Sequence, residues 1–138
     1  MYAATRKLDW LPPDSSAECS IQLRAAGQDW DAVRVPSYIG RHAVTVLGQD
    51  SGAVIHDLWG KCLYRLVPVG TAATWDVPQT RPCGQAQYVA IPARTRVAPP
   101  GLHWIMPLSG ERCLTDPQLL RGALYEAVDA ILGPRNPS

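Results

Sequence analysis

The clearest hydrophobic pattern in the chain lies in residues 52–70, which read as two short strands about a tight reversal. Ala53, Val54 and Ile55 are small or β-branched and suit a pleated, half-buried surface. Residues 57–60 supply the turn, with Gly60 free to take positive φ. Residues 61–67 then alternate: Cys62, Tyr64 and Leu66 on one face, Lys61, Leu63, Arg65 and Val67 on the other. Apolar residues occur on both faces, which predicts a central strand in a sheet covered on both sides. Pro68 removes a ladder donor and ends the strand.

The rest of the chain is read around this hairpin. Ser15 and Glu18 form a capping box, and Ala17, Ile21 and Ala25 share a helical face with Leu23 near its edge, so a helix is predicted that closes at Gly27. Residues 30–35 read as a short strand ended by Pro36. Ser37 is placed to cap a second helix over residues 38–47, with Ile39, Ala43, Val46 and Leu47 inward and Gly48 closing it. Residues 71–84 read as irregular with a short helical turn. Residues 85–91 and 102–106 are two further strands, the first ended by Pro92 and the second carrying Trp104. Thr115 and Gln118 form another capping box, and Leu119, Leu120, Ala123, Leu124, Ala127, Val128 and Ile131 follow at helical spacing over residues 116–132. The fold class that results is α+β: a single mixed or antiparallel sheet with helices packed mainly on one face. One domain spans residues 1–138, with a leader at 1–13, the α+β core at 14–133 and a tail at 134–138.

Composition narrows the choice of partners. Hydrophobic residues at 46% and charged residues at 18% describe a chain with a core rather than a disordered one. A net charge of +1 provides no global field for nucleic acid or an anionic membrane, so any anion site must be local. No apolar segment has the length of a membrane span or of a secretory signal, which makes the cytoplasm the expected location. The four cysteines are scattered, with no Cys-x-x-Cys pair, and are read as reduced, buried thiols. Arg supplies 11 of the 13 basic residues, and this with the 13 prolines is a composition expected of a high-GC bacterial genome.

Several segments, in order, carry a resemblance: Trp30-Asp31-Ala32-Val33-Arg34-Val35-Pro36, Gly52-Ala53-Val54, Leu63-Tyr64 ahead of Val67-Pro68-Val69-Gly70-Thr71-Ala72, Tyr88-Val89-Ala90-Ile91-Pro92-Ala93 and Gly101-Leu102-His103-Trp104. Over residues 28–122 the chain resembles small actinobacterial proteins related to the N-terminal domain of bifunctional DNA primase/polymerases. The resemblance implies a prim-pol-like core. It also implies where active members would carry an Asp-x-Asp metal pair, a phosphate-contacting His and a later acid. Here those positions read Val33-Arg34-Val35, Cys62 and the acid-free residues 81–87. Two-metal phosphoryl transfer needs converging carboxylates, so the resemblance implies the fold without the polymerase activity.

Two functional readings follow, with a third beside them. The first is a catalytically inactive prim-pol-like module that binds nucleic acid or a protein partner. Lys61, Arg65, Arg81, Arg94 and Arg96 would form its basic patch, with Tyr64 and Tyr88 as stacking platforms; the plainer reading is a solvated edge balanced by Asp57 and Asp76. The second is a small enzyme or small-molecule binder with a pocket near Cys62 and His56, Asp57 being the third candidate catalytic group. Trp59, Trp75 and Trp104 would line that pocket or else fill the core. A homodimer formed through an exposed sheet edge is the third reading. No cofactor or metal is expected: Cys62 and Cys83 with His56 or His103 lack the spacing of a zinc module. An open, charged setting around Cys62 favours the pocket, and an apolar one favours the module.

Overall fold

The computed structural model describes residues 21–107 and 113–132. Its centre is the ladder between β2 (Asp31–Pro36) and β4 (Cys62–Val67). The two strands pair antiparallel, with Ala32 opposite Leu66, Val33 opposite Arg65 and Val35 opposite Leu63. Directly paired residues share a face of the sheet. Ala32 and Leu66 therefore look one way, and Val33, Val35, Leu63 and Arg65 the other. The tight hairpin runs from β3 (Val54–Asp57) into β4, as the alternation predicts. With β5 (Arg81–Cys83) and β7 (His103–Met106) at the margins, the order is β5-β2-β4-β3-β7 and every pairing is antiparallel.

Helices α1 (Ser37–Leu47) and α2 (Pro117–Leu132) cover the face that carries Val33, Val35 and Val67. Ile39, Ala43 and Leu47 of α1 meet Leu120, Leu124 and Val128 of α2 in one buried cluster. Ile131 and Leu119, expected in the inward stripe, are 38% and 47% exposed. Gly40 lies over Leu63 so closely that a Cβ there would stand 2.6 Å from the Leu63 Cδ1. The caps also differ from expectation. Asp116, not Thr115, caps α2, its Oδ1 accepting from the amides of Gln118 (2.8 Å) and Leu119 (3.3 Å). Thr115 is instead buried, its Oγ1 accepting from the Gly52 amide at 2.9 Å while its own amide donates to the Leu66 carbonyl. Ser37 makes no side-chain cap, because its hydroxyl is buried without a partner and its amide donates to the Lys61 carbonyl.

The opposite face of the large sheet is covered by a second sheet, not by a helix. β1 (Ile21–Ala25) pairs antiparallel with β6 (Tyr88–Pro92). Val89 and Ile91 turn inward onto Ala32, Ile55, Leu66 and Trp104. Two expectations are corrected here: there are two antiparallel sheets rather than one, and residues 21–25 are a strand rather than helix. The helical reading rested on three apolar positions spaced by four. Ile21-Gln22-Leu23-Arg24-Ala25 also alternates with period two, and the strand pairs with β6 so that Gln22 and Arg24 stand opposite the inward Ile91 and Val89, leaving Ile21 and Leu23 56% and 70% exposed. The leader, the Ser15–Glu18 capping box and the C-terminal tail lie outside the described residues.

Candidate anion-binding site

The hairpin turn fixes the site. Asp57 Oδ1 accepts from the Gly60 amide at 3.0 Å, closing the turn. Lys61 follows in the left-handed region at φ 55°, and Cys62 begins β4 opposite both Asp57 and Pro36. One turn of the pleat along, Arg34 on β2 stands between Tyr64 on β4 and Arg81 on β5. All three share the face that carries Cys62. Arg34 Nε donates to Cys62 Sγ at 3.2 Å, which aims the guanidinium along the strand end and leaves its terminal nitrogens out of that bond. A cavity of about 320 Å³ opens here, lined by Arg34, Lys61, Cys62, Thr80 and Arg81.

The lining carries cations, and the Asp57 carboxylate beside it also bears on Arg34. Like charges directly opposite on neighbouring strands repel, and Arg34 faces Arg81 in this way. Lys61 adds a third cation on the lining, and no carboxylate among the described residues lines the cavity. The hydrogen bond to Cys62 and then the charges around it push the Arg34 pKa above its ordinary value, so it remains cationic throughout the working range. Burial, with Cys62 as the next cause, pushes Tyr64 up to about 12, so its phenol keeps its proton. Burial likewise raises the Cys83 thiol.

The residues expected to act together separate into groups. Lys61 and Arg81 line the Cys62 cavity with Arg34, while Tyr64, paired with Arg34 across β2 and β4, packs against the core beneath the small sheet and does not line it. Arg65 is fully buried on the helical face, with Nη1 donating to Ser51 Oγ at 2.9 Å and Nε and Nη2 without a partner among the described residues. It cannot reach a ligand at the surface, which removes it from the basic patch. Tyr88 projects from the outer face of the small sheet, while Arg94 and Arg96 follow β6, Arg96 donating to the Pro100 carbonyl. None of those three lines the Cys62 cavity. His56 pairs with Leu63 and Asp57 with Cys62, so the pleat puts His56 and Cys62 on opposite faces. The tryptophans part as well: Trp75 belongs to the helical core, Trp104 to the core beneath the small sheet, and Trp59 is 90% exposed at the hairpin tip.

Arg34 is the residue that sequence reasoning passed over. It appeared there only within Val33-Arg34-Val35, where the resemblance would place a metal-binding pair. Its signal was a lone cation inside the apolar run Ala32-Val33-Arg34-Val35 of a central strand. The nearby acids are already engaged by backbone: Asp31 Oδ2 accepts from the amides of Gly70 and Ala72, both at 2.9 Å, and Asp57 holds Gly60. Among the described residues no three of His, Cys, Asp and Glu gather in a way that could hold a metal ion, and no helix is long and apolar enough to cross a membrane. The chain matches no family model, no curated protein and no solved structure.

Proposed function

We propose that this chain is a binding protein for a small phosphate-bearing anion, held at the end of β2, β4 and β5. The observation that carries the reading is the directly opposed Arg34–Arg81 pair, joined by Lys61 around a cavity with no lining carboxylate among the described residues. A multiply charged oxyanion relieves the repulsion and accepts the planar donors of two guanidinium groups. The cavity volume falls at the small end of the range for ligand pockets. The three cations line one cavity, which favours a terminal or free phosphate group over a polymer backbone. Cys62, where the prim-pol resemblance would put a phosphate-contacting His, forms part of the lining. With Asp31 and Asp57 committed to backbone amides, the reading is binding without phosphoryl transfer. Cys62 and Cys83 are free thiols, in keeping with a cytoplasmic setting as part of the same reading.

Calorimetric titration with inorganic pyrophosphate and, separately, with a 5′-phosphorylated single-stranded oligonucleotide tests this. Pyrophosphate is expected to bind saturably, and Arg81→Gln to weaken it roughly 10-fold or more, the scale of a lost charge-assisted hydrogen bond. Affinity should fall with added salt. An oligonucleotide that binds whether or not it carries the 5′-phosphate restores the nucleic-acid patch. No heat from either ligand removes the anion site.

A further inference from the structure

A second cavity, of about 440 Å³, lies on the opposite side of the hairpin from Cys62, between α1, β3, β7 and the connection that precedes β7. Its polar lining is Arg41, His56 and His103; its apolar lining is Leu58, Val97, Pro99 and Ile105. His56 and His103 are direct partners across β3 and β7, with ring centroids 5.2 Å apart in an edge-on arrangement. Both are buried, at 7% and 5% exposure. His103 Nδ1 lies 2.8 Å from the Gly101 carbonyl. A carbonyl accepts only from an N–H, so Nδ1 carries a proton. No acid among the described residues lines the cavity, and Asp57, the next residue on β3, is held by the Gly60 amide on the other face.

The apolar wall is open to solvent. Leu58 is 41% exposed and Val97 53%, and Trp59 beside Leu58 is 90% exposed. Exposed apolar groups cost little singly, but here they border two buried imidazoles and an arginine that lack an anionic partner among the described residues. A bare phosphate would leave this wall wet. A neutral hydrocarbon would leave Arg41 and the imidazole pair unanswered.

We propose that this cavity binds an amphipathic monoanion, a carboxylate on an aliphatic or aromatic body. The carboxylate meets Arg41 and the edges of His56 and His103, and the apolar body lies along Leu58, Val97 and Ile105. Binding carries a proton. The groups that bear on His56 are His103 from β7, Arg41 from α1 and Asp57 on its own strand, while β4 presents the apolar Leu63. Burial first, then His103 and Arg41, hold the free His56 below its ordinary pKa. A carboxylate favours the imidazolium, so its arrival raises that pKa, and affinity rises as pH falls through the window between the bound and free values.

The test is titration of the full chain with sodium octanoate, read by calorimetry and by the imidazole carbon-bound proton resonances. Octanoate is expected to saturate the site, to shift both His56 and His103, and to bind more tightly at pH 6 than at pH 8, by roughly the tenfold per unit that uptake of one proton allows. Arg41→Gln, on the exposed side of α1, should retain the fold and lose roughly 10-fold or more in affinity. Acetate, which has no body, and 1-octanol, which has no charge, should each bind more weakly. Excess pyrophosphate should not compete, because the Arg34 site lies on the other face; this separates failure here from failure of the phosphate reading. Absence of saturable binding, equal binding of octanol, or indifference to Arg41→Gln overturns the proposal.

Discussion

Arg65 is the residue whose setting departs furthest from its chemistry. It is fully buried, and among the described residues its one hydrogen bond is to Ser51, with Nε and Nη2 lacking a partner there. Burial alone pulls its pKa down to about 10. Replacing buried charge by an apolar group of similar volume is often stabilising. Arg65→Met is therefore expected to raise unfolding free energy by roughly 1–3 kcal/mol in urea denaturation, and a loss of stability would show that Ser51 and its neighbours depend on the guanidinium. The sign with pH is fixed. The folded pKa is below the unfolded one, so between them the unfolded chain holds more protons and wild-type stability rises with pH. The advantage of Arg65→Met should thus shrink as pH rises through about 10. The sequence placed Arg65 on the face with Leu63 and Val67, correctly. The alternation could not show that α1 and α2 close completely over that face, because their closeness depends on small residues elsewhere.

At the scale of elements, Gly40 is one such small residue. A Cβ on it would press on Leu63, itself fully buried, so Gly40→Ala should cost roughly 1–3 kcal/mol through overpacking despite the higher helix propensity of Ala. Gly122 on α2 meets nothing within 4 Å of a built Cβ. There the propensity term acts alone, and Gly122→Ala should stabilise by up to about 1 kcal/mol. Paired thermal or urea melts decide both; the same sign for the two variants would contradict the packing described. Leu124, fully buried between the helices, should cost roughly 2–5 kcal/mol as Ala. Strong periods made the hairpin, α1 and α2 readable in the sequence. Residues 21–25 were misread because they satisfy a weak helical spacing and a short alternation together, and only the partner strand β6, more than sixty residues on, chooses between them. The caps at Thr115 and Ser37 misled for a related reason: long-range bonds to Gly52, Leu66 and Lys61 engage groups that local pattern assigns to a helix end.

Across the whole molecule, the large sheet separates two cavities of different character. On the side of the small sheet, two arginines and a lysine surround Cys62; on the helical side, two histidines and an arginine border an apolar wall. Of the patch residues grouped from the sequence, Lys61 and Arg81 line one cavity, Arg65 turns inward, and Arg94, Arg96 and Tyr88 lie on or after β6. The sequence reading also joined His56 to Cys62, which adjacency at one turn suggests and the pleat forbids. The central claim is that Arg34, Lys61 and Arg81 act as one anion site. The most direct measurement is a backbone amide titration with inorganic pyrophosphate, followed residue by residue. Saturating shifts concentrated at Arg34, Gly60, Lys61, Cys62, Thr80 and Arg81, and abolished by Arg34→Gln, are predicted. Shifts absent there, or centred instead on Arg94 and Arg96, would contradict the claim.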